Sequence, residues 1–397
     1  MLPSSREDTR LFLALLANFI LFGVTLTIVA ATVPEIIREF DWSYLSMGAI
    51  VSAPPVGYFL STFLSGMLIG RMEPKTVLVG GLLLQSVGLF LFGLTSMVAP
   101  NLLLAFMIGI GQGSTEVVTN FCVVQMEEGQ QSRLINLMHG ALPVGAVCGP
   151  FLMGMLFLTG AGWGWMYRGL GLLTLGVAAL LSAFSYDRFT VDDGPGPEPG
   201  IAQRMGRPLL LLLCGLMFLF VGAEMGVSSW ISEYFVQVLG SNSSIGAWMV
   251  SVFWFGVFVG RVSVSLLYRS SRQTGLLVIL GISSTVLLSV SLAASTVPTA
   301  AGSFLLSGLG FSAIYPVVTA TAGHRFPEIR SMAIGTVASC GGVGSFLFPL
   351  LISSLAGSYG LRLGFWFCVG SSAAGVVLAI AARGRAESII DAKLSED

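Results

Sequence analysis

Long apolar runs separated by short polar clusters recur along the whole chain, at the length a bilayer requires. Twelve of them lie at approximately residues 11–33, 44–69, 76–96, 101–124, 134–158, 165–185, 208–233, 245–268, 275–295, 299–322, 331–356 and 362–383. Each can cross the hydrocarbon layer as a helix, which takes about 20 residues for about 30 Å. The pattern therefore predicts an all-α membrane protein. Only one polar interval is long: Tyr186–Arg207, between the sixth and seventh runs, which contains DDGPGPEPG. Proline, glycine and acid at that density end helices and build no core. We place an N-terminal six-helix half at 1–186, a linker at 187–207 and a C-terminal six-helix half at 208–397.

Composition agrees. The 397 residues are 54% hydrophobic and 10% charged, with a mean hydropathy of +0.87, whereas soluble domains carry about 25% charged residues. A net charge of −1 gives no reason to expect a nucleic-acid partner. The five cysteines all fall inside apolar runs without metal-ligand spacing, so they are read as packing residues, and no metal site or cofactor is expected. No Walker loop, catalytic triad or zinc pattern is present, which leaves ATP-driven transport and enzyme activity unsupported. The first run is long enough to span and lacks a cleavage site, so no cleavable signal is expected. Sorting the nineteen basic residues by side puts sixteen with the termini and the linker and only Arg38, Arg168 and Arg362 opposite. By the positive-inside rule both termini and the linker are expected in the cytoplasm.

Polar residues inside the runs carry the candidate chemistry. In the fourth run Gln112, Glu116 and Asn120 fall at i, i+4 and i+8, so they share one helix face. A charge at the bilayer centre costs roughly 2.5–3.5 kcal/mol on insertion scales. Glu116 is therefore expected to face a cavity, a solute or a partner helix; its structural alternative is a protonated acid that ties two helices together. Of the twenty acids, only Glu116 and Glu224 are placed deep in the runs. Glu224 precedes Ser228 by one turn and Trp230 follows, a set that suits the hydroxyls and the apolar C–H face of a sugar. Trp254 and Tyr315 are further aromatic candidates. Asn136 and His139 open the fifth run. An imidazole ordinarily titrates near neutrality, so His139 is a proton relay or solute ligand, with a helix–helix hydrogen bond as its alternative. Asn18, Phe22 and Thr25 can line a cavity or bond backbone carbonyls, and Pro54-Pro55 predicts a kink.

The halves repeat. Gly66–Arg71 and Gly256–Arg261 both read GxxxGR, and a shift of 197 residues lays Gly111, Gly113, Arg133 and Gly145 on Gly308, Gly310, Arg330 and Gly342. Parallel halves place a solute site near the midplane.

Twelve spans, a polar central linker and the run GMLIGRMEPK after the second span resemble the major facilitator superfamily across essentially the whole chain. Its loop signature, G-x-L-a-D-R-x-G-R-K, is matched at Gly66, Leu68, Arg71 and Lys75. Gly70 stands at the acidic position, and Glu73-Pro74 replaces the later Gly-Arg. The resemblance implies two pseudo-symmetric six-helix halves and conformational roles for Gly66, Gly70, Arg71 and Lys75, and for Gly260 and Arg261 in the second half. Within the superfamily the chain is similar to fucose/glucose permease-like sugar:cation symporters. The matching residues are Gly113–Glu116–Asn120, Arg133–Asn136–His139, Gly222-Ala223-Glu224 with Trp230, and Gly308, Gly310, Tyr315 and Pro316. A fucose permease of that group carries a second acid in helix 1, whereas Phe22–Ala31 has none. Gly145–Pro150 also resembles the helix-5 signature of proton-coupled antiporters, with Met153 in place of one final glycine.

Residues and resemblance together imply a secondary transporter working by alternating access on a small polar solute, a sugar or related polyol, with proton symport. Glu116, Glu224 and His139 are the proton-coupling candidates, and sodium coupling is the alternative. Gln112, Glu116, Asn120, Asn136, Glu224, Ser228, Trp230, Trp254 and Tyr315 are the solute-binding candidates. A monomer in the bacterial inner membrane is expected. A proton-coupled exporter of amphipathic compounds is the rival reading.

Overall fold

The computed structural model describes residues 6–69, 71–127, 133–189, 208–267 and 273–394, and among them there is no strand. The first six helices are α1 (Arg6–Phe40), α2 (Tyr44–Ile69), α3 (Pro74–Leu91), α4 (Val98–Met126), α5 (Arg133–Leu158) and α6 (Gly164–Ser182). Beyond the linker come α7 (Pro208–Gln237), α8 (Ser243–Leu267), α9 (Gln273–Ala293), α10 (Val297–Phe311), α11 (Ile314–Arg325), α12 (Arg330–Tyr359) and α13 (Leu361–Leu394). Twelve of the described segments are long and apolar enough to cross a membrane, with α10 and α11 together forming one span. The multi-pass, all-helical reading of the sequence is borne out.

Several elements extend past the apolar runs that announced them, and in two of them the extension carries acids. α1 continues to Phe40 and so carries Glu35, Arg38 and Glu39, and α7 continues to Gln237. Glu233 consequently lies inside α7 with no exposed surface. The expectation that Glu116 and Glu224 are the only deeply placed acids is therefore corrected. α2 runs as one helix through Pro54-Pro55. The tenth span breaks instead, at Ser312-Ala313. Pro316 has no N–H to donate to the carbonyl four residues back, and that carbonyl, of Ser312, accepts Arg261 Nε at 3.0 Å.

Contacts divide the chain into two units. The first is Met1–Asp193 with Ile231–Val236 and Ser241–Ser251; the second is Gly194–Trp230, Gln237–Gly240 and Val252–Asp397. In the first unit, Phe12, Leu15 and Phe19 of α1 share a core with Leu78 and Leu82 of α3, Val118 and Cys122 of α4, and Met138 of α5.

Glycines set the helix spacing inside each unit, and here the repeat becomes exact in register. A Cβ added at Gly109 of α4 would stand 1.9 Å from the Pro54 carbonyl oxygen of α2. One added at Gly308 of α10 would stand 2.2 Å from that of Phe253 of α8. Gly57 closes on Phe106 and Ile110 as Gly256 closes on Leu305 and Leu309, and Gly111 meets Gln85 as Gly310 meets Ser284. Every one of these pairs is related by 199 residues. The seam at Gly113 facing Ser61 recurs with glycine and serine exchanged, as Gly260 facing Ser312. Gly145 on Ile20 and Val24 answers Gly344 on Phe218 and Gly222, with the glycines 199 apart and the first-helix partners 198 apart. The packing therefore corrects the shift of 197, because glycines two apart match equally well in sequence but face different helices. It also removes Gly66 from the seam, since a Cβ there meets nothing within 4 Å.

Candidate functional site

The first unit builds a polar face on α4, and its three residues do different things. Gln112 is buried and donates its amide to Thr25 Oγ1 of α1 at 2.9 Å, while Gln85 of α3 donates to the same oxygen at 3.2 Å. Thr25 in turn donates to the Phe22 carbonyl at 3.0 Å. Gln112 thus belongs to a tie among α1, α3 and α4. One turn on, Glu116 is half-buried. Its carboxyl accepts the Tyr58 hydroxyl of α2 at 2.8 Å and is also hydrogen-bonded by Asn120. Asn120 is itself half-buried, and its Oδ1 lacks a partner among the described residues. Tyr58 sits one residue past Gly57, so the close α2–α4 seam fixes the distance of this bond.

His139 and Asn136 lie exposed on α5. The His139 ring meets Phe19 edge-on at 5.4 Å, Phe19 meets Phe22 at 5.8 Å, and Phe22 stacks on Tyr58 at 6.2 Å. Aromatic contacts thus connect His139 to the tyrosine that holds Glu116. Tyr58 escaped the sequence reading, although a lone tyrosine in an apolar run was a signal, because a buried hydroxyl usually finds a partner.

The second unit carries the other candidates. Glu224 is 6% exposed, and its Oε1 has no partner among the described residues. Arg261 is near enough to act on it electrostatically. Ser228 Oγ accepts the Trp254 indole N–H at 2.8 Å, which joins α7 to α8 beside the acid. Trp230 was expected to face solute. It is instead fully buried, with its N–H on the Pro349 carbonyl of α12 at 3.1 Å, so it acts as a helix tie. Tyr315 is 41% exposed, at the start of α11. It stands 199 residues beyond Glu116, the register of the repeat. Of the conformational candidates, Gly70 lies outside the described residues. Arg71 is exposed, Lys75 lines a small polar hollow with Glu73, Tyr186 and Asp187, and Gly260 and Arg261 pack at the break of the tenth span.

No metal-binding cluster occurs among the described residues. The constellation is an acid at mid-helix in each unit, Glu116 hydrogen-bonded by Tyr58 and Asn120 and Glu224 buried within reach of the Arg261 charge, suited to holding a proton or a polar solute.

Comparison with known proteins agrees with this architecture. The TsgA homolog of Yersinia pestis (strain Pestoides F) is 24% identical over 353 residues, covering 87% of this chain and 88% of that protein. A crystal structure of the nucleoside transporter NupG superposes with a TM-score of 0.79 at 12% identity, covering 94% of this chain and 98% of that one. A crystal structure of a D-xylose-proton symporter gives 0.70 at 16% identity, covering 94% and 96%. At those identities the likeness to the solved structures is one of fold. The family model of the Major Facilitator Superfamily matches residues 13–301 and 269–395, nearly the whole sequence, and the chain belongs to that superfamily of membrane transporters.

Proposed function

We propose that the chain is a proton-coupled symporter of a small polyhydroxylated solute, a sugar or related polyol, working by alternating access in a bacterial inner membrane with both termini cytoplasmic. One observation carries the reading: the Glu116 carboxyl is half-buried and held by Tyr58 at 2.8 Å and by Asn120, with no cationic side chain acting on it among the described residues. Removing a carboxyl from water favours its neutral form. Rehydration then releases the proton, while neutral donors and acceptors remain for a solute. Structural likeness to a nucleoside transporter and a xylose-proton symporter supports solutes rich in hydroxyls. Glu224, Ser228, Trp254 and Tyr315 are the solute-binding candidates of the second unit, and Asn136 and His139 are further candidates of the first.

The test is Glu116→Gln in reconstituted vesicles, with a panel of sugars, nucleosides and polyols as solutes. Gln preserves size and hydrogen bonding but cannot exchange a proton. The variant should lose accumulation driven by a pH gradient and retain solute counterflow, which needs only reorientation of the loaded carrier. Full pH-driven accumulation by folded Glu116→Gln would refute the assignment, and accumulation driven by sodium alone would reassign the ion.

The tight seam that Gly145 and Gly149 of α5 form on Ile20 and Val24 of α1 favours one rival, a proton-coupled exporter of amphipathic compounds. That reading requires the chain to confer resistance on a sensitised host and to transport none of the sugar panel.

A further inference from the structure

The end of α7 away from the linker holds a carboxyl that the reading above does not use. Ile231–Val236 of α7 and Ser241–Ser251, which runs into the start of α8, group with the first unit. They are seated there by side-chain bonds to its helices. Ser251 Oγ donates to the Val147 carbonyl of α5 at 2.7 Å, Trp248 Nε1 to that of Phe151 at 3.2 Å, and Ser243 Oγ to the Glu35 carboxylate of α1. Within this seat Glu233 has no exposed surface. Its Oε1 accepts the Tyr44 hydroxyl of α2 at 3.0 Å, and its Oε2 is buried with no partner among the described residues.

The charged and titratable groups on the elements around it do not neutralise it. On α1, Arg38 pairs with Glu35, and Glu39 accepts the Trp163 indole N–H at 2.6 Å. α2 contributes Tyr44, α7 contributes Tyr234, α5 contributes only Cys148 on the stretch that meets α8, and residues 243–251 of α8 contribute none. An ionised carboxylate with one oxygen cut off from both water and donors carries a heavy desolvation penalty, which a neutral acid largely avoids. The seat is therefore built around the protonated side chain.

We propose that Glu233 is a proton-binding site whose occupancy is linked to the docking of the α7 and α8 ends. The carboxyl holds a proton while those segments are seated on α1, α2 and α5, and releases it when they lift and water reaches it. The site is distinct from Glu116, and its test involves no transport. The seated form binds one proton more than the lifted form, so the lifting equilibrium rises with pH, by at most about tenfold per pH unit for one proton.

Hydrogen exchange of the full chain in lipid nanodiscs, followed by mass spectrometry from about pH 5.5 to about pH 8.5, covers the range in which buried glutamates titrate. Peptides spanning 231–251, corrected for intrinsic exchange, should lose protection with rising pH in the wild type. Glu233→Gln should remain protected with no such slope. Tyr44→Phe should keep the slope but exchange about two- to tenfold faster throughout, as expected for one lost neutral hydrogen bond. Glu116→Gln should keep the slope as well. A flat profile in the wild type, or the wild-type slope in Glu233→Gln, overturns the proposal. Loss of the slope in Glu116→Gln would move the linked proton to that residue and also overturn it.

Discussion

Replacing Gly109 and Gly66 with alanine should move stability in opposite directions, although both are helical glycines of the N-terminal half. A Cβ at Gly109 would lie 1.9 Å from the Pro54 oxygen and 2.7 Å from the Pro54 carbonyl carbon and Cα, all backbone atoms that no rotamer change can move. Carbon and carbonyl oxygen rest at about 3.3–3.6 Å, so α2 and α4 must part by more than about 1 Å. Overpacking of this kind costs about 1–3 kcal/mol, and a rigid backbone clash belongs at the upper end. The gain in helix propensity from Gly to Ala returns about 1 kcal/mol, leaving a net loss of about 2 kcal/mol. Gly66 meets nothing within 4 Å, so alanine there keeps only the gain, about 0.5–1 kcal/mol. The seam also spaces Tyr58 from Glu116, whose bond is 2.8 Å. Parting the helices stretches that bond past the useful limit of about 3.5 Å. Gly109→Ala should therefore melt below the wild type in one detergent and lose proton-driven uptake, while Gly66→Ala melts above it and transports normally. A Gly109→Ala protein that melts with the wild type, or a Gly66→Ala protein that melts below it, would refute the packing argument.

Three further outcomes are expected. Thr25→Val removes the oxygen shared by Gln85 and Gln112 and strands two buried amides at about 1–3 kcal/mol each, so its melting temperature should fall well below that of Thr25→Ser. Glu224→Gln should weaken solute affinity more than proton coupling, whereas Trp230→Phe, which breaks only the bond to Pro349, should lower stability and leave affinity in place; equilibrium binding to purified protein separates them. A tag at either terminus or within 190–205 should resist impermeant labels applied to intact cells, and labelling from outside would reverse the orientation.

The spans, and the presence of an acid within the fourth of them, were legible because hydrocarbon penalises polarity so heavily that either appears as a break in a simple pattern. Partners across helices were not legible. Gln112 and Glu116 occupy the same face of α4 at one-turn spacing, yet one is tied to Thr25 and the other is held by Tyr58. Which neighbour each meets depends on how close α1 and α2 approach, and that depends on glycines whose register a sequence rich in glycine leaves ambiguous. Trp230 shows the converse error. An indole six residues beyond an acid reads as a solute platform until its N–H is found on Pro349. Glu233 was hidden because hydropathy ended the seventh run at the residue where the helix continues.

The corrected register also separates what the repeat supplies from what it does not. Positions 199 residues apart share the same close glycine contacts in α2–α4 and α8–α10, so duplication accounts for the scaffold of each unit. The polar residues do not follow. Glu116 answers to Tyr315, Tyr58 to Val257 and Gln112 to Phe311. The second unit's acid, Glu224, stands on α7, which corresponds to α1 of the first. A proton carrier needs one group whose neutralisation changes the balance between states, and two acids in equivalent positions would have the same surroundings and so no ground for different tasks. With the acids on non-equivalent helices, one can serve the proton and the other the solute. The asymmetry within a symmetric frame is thus the physical ground for giving Glu116 and Glu224 different tasks.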